Sequence, residues 1–100
     1  MSEKLSKAFF SEALNTHFHL HTEPGESLDL ELIELEDGYA LPGQEQFSLK
    51  FRGPGQSILP QKTYRLDHDR ISPFDLFIVP IGRGEAETYY EAVFNRSIES

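Results

Sequence analysis

One hundred residues with 38% hydrophobic and 26% charged content suffice for one ordered domain with a modest core, and leave little room for a second domain or a large internal cavity. The chain has no cysteine, which excludes disulfides, thiolate catalysis and cysteine-ligated zinc. Net charge is −8, placed unevenly: ten acidic and three basic residues in positions 1–50, seven and six in positions 51–100. Such a field repels phosphate backbones and anionic lipid, so neither nucleic acid nor membrane is expected as a partner, whereas a protein partner or self-association is.

No apolar stretch nears the roughly 20 residues of a spanning helix, and the segment Met1 to Lys7 is not followed by the apolar run of a signal peptide, so a cytoplasmic location is expected. Ser6 to Asn15 places Phe9, Phe10, Ala13 and Leu14 on one stripe of a short helix, with Lys7 and Glu12 on the wet side. Thr16 to Thr22 alternates Phe18 and Leu20 against His17, His19 and His21, the pattern of a half-buried strand whose other face carries the histidines.

Glu23-Pro24-Gly25-Glu26 is a turn by composition. In Ser27 to Asp37 the apolar parity slips, with Leu28, Leu30 and Leu32 on one phase and Ile33 and Leu35 on the other. A β-bulge absorbs such a slip, so a bulged strand is expected although Leu and Glu favour helix. After a loop around Pro42-Gly43, Gln46 to Arg52 alternates strictly, with Phe47, Leu49 and Phe51 inward, until Gly53-Pro54-Gly55 stops it.

Lys62 to Asp69 resumes the alternation through Tyr64, Leu66 and His68. Phe74 to Val79 is apolar on both faces except at Asp75, which predicts a strand more fully covered than its neighbours, with Pro80 ending its pairing. Thr88 to Asn95 supplies the last strand, and the short gaps between these strands suit antiparallel hairpins. The expected fold is all-β: residues 1–100 as a single domain, a six-stranded antiparallel barrel or rolled sheet with a short N-terminal helix. The helix is placed at about 6–15 and the strands at about 16–22, 27–37, 46–52, 62–69, 74–80 and 88–95.

The four blocks Phe47-Ser48-Leu49-Lys50-Phe51-Arg52-Gly53-Pro54, Leu59 to His68, Phe77-Ile78-Val79-Pro80-Ile81-Gly82 and Tyr90-Glu91-Ala92-Val93-Phe94-Asn95 together resemble a family of roughly hundred-residue bacterial domains of unknown function. The resemblance covers about half the chain and does not include the histidine strand. It carries no assigned activity. It implies a role beside phage-tail-collar or tail-fibre-like proteins.

Among chemistry-bearing residues, His17, His19 and His21 stand on one strand face, from which two imidazoles could share a metal with help from Asp67, His68 and Asp69. The competing reading is an exposed polar face, and no metal or other cofactor is expected. Asp29, Glu31, Glu34 and Glu36 form an acidic stripe. Without a sugar-stacking Trp or an environment that separates two carboxyl pKa values, it reads as a docking face for a basic partner, not as a glycosidase pair.

If the acidic strand lay at a sheet edge, it could accept a partner strand. Gly82-Arg83-Gly84 reads as a turn, and the nucleophile and P-loop motifs are absent. Ile58 and Leu59, before Pro60, either plug a barrel mouth or dock a partner. No residue is assigned a catalytic role, and Glu31, Glu34, Glu36, Ile58 and Leu59 are the candidate partner-binding residues. The expected function is that of a non-enzymatic structural or protein-interaction module of a larger bacterial assembly, accessory to tail-fibre-like proteins. The alternative is a small-ligand-binding or hydrolytic domain with its site at one barrel mouth.

Overall fold

The protein is described from a computed structural model, which covers residues 7–23, 25–38, 41–55 and 58–97. Its elements run α1 (Lys7–Glu12), β1 (His17–Glu23), β2 (Glu26–Asp37), β3 (Gln44–Pro54), β4 (Lys62–His68), β5 (Ile71–Arg83) and β6 (Glu87–Ser97). All neighbouring strands are antiparallel and close a barrel in the order β1-β2-β3-β6-β5-β4, with β4 returning to β1. Closure removes the long exposed edges that six short strands would present. It also corrects the edge-strand expectation for the acidic strand, because β2 is paired to β1 on one side and β3 on the other.

The alternating residues form the core. Phe18, Leu20, Leu30, Leu32, Phe47, Leu49, Phe51, Leu66, Ile78, Tyr90 and Ala92 point inward and are buried. The parity slip in β2 falls at Ile33, where the register with β3 shifts between Leu32 and Glu34. One extra residue there lets Leu32 fill the core while Glu34 pairs outside with Lys50.

The helix is shorter than expected. It ends at Glu12, and the chain turns through Asn15, whose φ of 68° is the left-handed conformation that Asn tolerates at a helix C-terminus. The Asn15 amide then donates to the Leu32 carbonyl at 2.7 Å, and the Leu32 amide donates to the Thr16 carbonyl at 3.0 Å, which fastens the turn to the bulge of β2. Phe10 and Ala13 enter the core fully. The Phe10 ring lies 5.3 Å from Phe94, 6.1 Å from Phe18 and 6.2 Å from both Phe47 and Phe74, so α1 stoppers the mouth where these strand ends converge.

Two expectations for β5 are corrected. Pro80 does not end pairing: it faces Tyr90, the strand continues to Arg83, and a bulge between Pro80 and Gly82 accommodates a residue with no amide hydrogen. Nor is β5 more fully covered than its neighbours. Leu76 and Ile78 are inside, but Phe77 stands outside with 49% of its surface exposed.

Candidate functional site

The barrel interior is occupied by side chains, so chemistry or recognition must lie on the outer wall or at the mouths. At the mouth opposite α1, Leu59 is buried to 7% exposure while its neighbour Ile58 keeps 46%. The Leu59 amide donates to the Tyr90 phenol oxygen at 3.1 Å, and the Tyr64 hydroxyl donates to the Pro60 carbonyl at 2.6 Å. Burial raises the Tyr64 pKa, keeping it a donor. The two readings of this loop therefore divide between adjacent residues: Leu59 is a plug, and Ile58 faces solvent.

The histidines of β1 face outward, and two of them meet a carboxylate. His19 Nδ1 is 2.7 Å from Asp29 Oδ1 and His21 Nε2 is 2.7 Å from Asp67 Oδ2. The hydrogen bond to Asp29, reinforced by its charge, raises the His19 pKa. No group of three His, Cys, Asp or Glu side chains among the described residues is arranged to hold a metal ion. The structure brings His17 and His19 together with Thr16, His68, Asp69 and Arg70 around an open cleft beside α1.

His68 is the buried member of that cleft. The Thr16 hydroxyl donates to the Ala13 carbonyl at 2.6 Å, so at 2.9 Å it accepts from His68 Nε2–H. The Arg70 amide donates to His68 Nδ1 at 3.2 Å. These partners fix a neutral ring, and desolvation followed by the nearby Arg70 charge lowers its pKa. Phe18 and Phe9 pack on the ring at centroid distances of 4.5 and 5.5 Å. Thus His68 joins α1 to the wall as a packing and hydrogen-bonding residue.

The outer wall carries cross-strand ion pairs and histidine–carboxylate hydrogen bonds that follow the barrel round. Arg65 and Asp75 bridge β4 to β5 at 3.3 Å, His21 and Asp67 bridge β1 to β4, and His19 and Asp29 bridge β1 to β2. Glu31 and Arg52 join β2 to β3 at 2.5 Å, Lys50 and Glu34 do so at 3.5 Å, and Arg52 reaches Glu87 on β6 at 3.8 Å. The hydrogen bond to Arg52 lowers the Glu31 pKa. Tyr89 donates to Glu87 at 2.7 Å, and that bond raises the Tyr89 pKa. Among the described residues, β5–β6 is the one seam that neither an ion pair nor a histidine–carboxylate hydrogen bond crosses.

That seam is apolar instead. Val79 faces Glu91, and two residues further on each strand stand Phe77 and Val93, the latter 58% exposed; Ile81 at the bulge is 45% exposed. Register extends the same outer face into the acidic stripe, through the rows Glu36–Ser48–Val93 and Glu34–Lys50–Glu91–Val79. Glu34, Glu36, Ser48, Lys50 and Glu91 line one shallow groove there, with three carboxylates to a single cation. Of the sequence candidates, Glu34 and Glu36 reach this face, Glu31 is spent on Arg52, and Ile58 and Leu59 belong to the β3–β4 connection. Sequence reasoning missed Phe77 and Val93. The signal was there: Phe74 to Val79 is apolar on both parities, and one of those faces had to be outside.

The chain belongs to the family described as a Domain of unknown function (DUF6916), whose model matches residues 5–94. No curated protein and no solved structure matches it.

Proposed function

From membership in a family with no assigned activity, and from a barrel stoppered at both mouths, we propose that the protein is a non-enzymatic interaction module of a larger bacterial assembly, accessory to tail-fibre-like proteins. The observation that carries this reading is the outer β5–β6 face: Phe77, Ile81 and Val93 lie open to solvent at the one seam among the described residues that neither an ion pair nor a histidine–carboxylate hydrogen bond crosses. Contiguous exposed apolar side chains on a small soluble domain mark contact surfaces. The core supports the same reading, since inward side chains from all six strands pack on one another there.

The test is purification of the full chain from its own cells after chemical crosslinking. Recovery with one protein in fixed stoichiometry is expected, and recovery of the chain alone would count against a module. Fibre-like neighbouring genes are expected in addition, and metabolic ones would argue against the assembly.

A ligand-binding role finds its support in the cleft of Thr16, His17, His19, His68, Asp69 and Arg70. Its geometry is unfavourable to catalysis because His68 is tied on both ring nitrogens and Arg70 donates to the Glu12 carbonyl at 3.2 Å. A thermal-shift screen of small anions and sugars tests this reading: a ligand whose stabilisation disappears on Arg70→Ala would establish it.

A further inference from the structure

We infer that the outer face of the β5–β6 seam, with the carboxylates of β2 and β6 at its border, docks a segment of another protein that carries an apolar block beside a lysine- or arginine-rich block. This inference rests on the module reading and names its surface and the chemistry of its partner.

The apolar half of the face consists of Phe77, Val79, Ile81 and Val93. Phe77 and Val93 are each about half exposed, and they sit two residues beyond the Val79–Glu91 pair on adjacent strands. The other five seams of the barrel are each crossed by a polar pair, an Arg– or Lys–carboxylate ion pair at β2–β3, β3–β6 and β4–β5 and a histidine–carboxylate hydrogen bond at β1–β2 and β1–β4, which keeps those faces hydrated. Among the described residues the β5–β6 seam lacks that device. Desolvating its four apolar side chains is the favourable term available to a partner.

The border decides which partner. Across the strands the face passes from Val93 to Ser48 to Glu36, and from Val79 to Glu91 to Lys50 to Glu34. Lys50 lies 3.5 Å from Glu34, and neither Glu36 nor Glu91 has an ion-pair partner among the described residues. The groove therefore keeps a net negative charge immediately beside the apolar block, within a chain of net charge −8. A second copy of this chain would set carboxylate against carboxylate, and like charges across an interface are strongly unfavourable. A cationic block next to apolar side chains satisfies both halves at once. Its lysines or arginines would meet Glu34, Glu36 and Glu91 while its apolar residues cover Phe77 and Val93.

Three short synthetic peptides test this by fluorescence anisotropy on the full chain: a valine–phenylalanine block joined to a lysine block, the same apolar block joined to a glutamate block, and the lysine block joined to a serine block. The lysine–apolar peptide is expected to bind, with affinity falling as salt is raised toward about 0.15 M. The other two are expected to bind at least about tenfold more weakly. Joint Phe77→Ser and Val93→Ser substitution should lower the affinity of the lysine–apolar peptide about tenfold without lowering the melting temperature, because both side chains are outside the core. Joint Glu34→Gln, Glu36→Gln and Glu91→Gln substitution should remove most of its salt dependence.

Equal binding of the lysine–serine peptide would reduce the effect to plain charge attraction and overturn the inference, as would no binding of any peptide. A concentration-dependent dimer of the full chain that Val93→Ser abolishes would overturn it in favour of self-association. Failure here is separable from failure of the module reading. If a crosslinked partner is retained by the Phe77→Ser, Val93→Ser variant, the module reading stands and this surface is wrong.

Discussion

The amide of Leu59 donates to the phenol oxygen of Tyr90 across 3.1 Å, tying the connection between β3 and β4 to the inner face of β6. Leu59 is thereby part of the core, and the bond joins residues 31 positions apart at the mouth opposite α1. Tyr90→Phe leaves the ring in place and strands a buried donor, so a loss of about 1–3 kcal/mol is expected from urea unfolding. Leu59→Ala should cost about 2–5 kcal/mol, as for other buried Leu truncations. Ile58→Asp should stay within about 0.5 kcal/mol, as for exposed sites. Equal costs at positions 58 and 59 would contradict the plug.

His68 predicts a pH dependence of definite sign. Its pKa in the folded chain lies below the ordinary 6.5, because burial and Arg70 disfavour the charged ring. The neutral ring's contribution is therefore complete above about pH 6.5 and is lost as pH falls from there through the folded-state value. His19, whose pKa is raised by Asp29, works in the opposite direction: its contribution is complete below 6.5 and is lost as pH rises through its folded-state value. His19 is exposed enough for solvent to screen most of that effect. The urea midpoint should fall as pH drops below 6.5 while the carboxylates are still ionised. In His68→Phe, which keeps an aromatic ring against Phe9 and Phe18, that fall should vanish; a variant that still shows it would place the titration elsewhere.

The contrast between Gly55 and Gly82 gives a third prediction. Neither has positive φ, so an added methyl group meets only steric resistance. At Gly55 it would stand 2.7 Å from the Ala86 carbonyl carbon and the Glu87 nitrogen, both backbone atoms; at Gly82 nothing lies within 4 Å. Gly55 is where the end of β3 meets the β5–β6 turn, with its amide donating to Ala86 at 3.1 Å and its carbonyl accepting from Arg83 at 3.0 Å. Gly55→Ala should destabilise by about 1–3 kcal/mol, the usual effect of overpacking. Gly82→Ala should be neutral or stabilise by up to about 1 kcal/mol through the unfolded chain. Thermal melts of the two variants separate a steric contact from a generic loss of glycine.

These sites show where the sequence was legible. Strict alternation at Phe47, Leu49 and Phe51 displays strand and inward face together, because period 2 is a local property, and the slip at Ile33 displayed the bulge for the same reason. Strand order, by contrast, is non-local: nothing near Pro54 or Glu87 announces that β3 pairs with β6 along its full length. Parity also cannot say which face is covered when both are apolar, and so nothing in the sequence marks Phe77 as the outward residue. The acidic stripe was visible as composition, but its division into Glu31 and Glu34, which are paired, and Glu36, which has no ion-pair partner among the described residues, depends on Arg52 and Lys50 arriving from β3.

Thr88 supplies the last test, at a position where the core contains a polar atom. It faces Gly53 in the ladder, is fully buried, and its hydroxyl makes no hydrogen bond among the described residues. A buried hydroxyl without a partner forfeits the hydrogen bonds it made to water in the unfolded chain, whereas a methyl group of similar size forfeits nothing. Thr88→Val should therefore raise stability by about 1–3 kcal/mol, opposite in sign to most core substitutions. Thr88→Ser, which keeps the hydroxyl and removes the methyl, should lower it. If Thr88→Val melts below the parent instead, the hydroxyl is satisfied by a buried water, and the cost measures the bonds to that water.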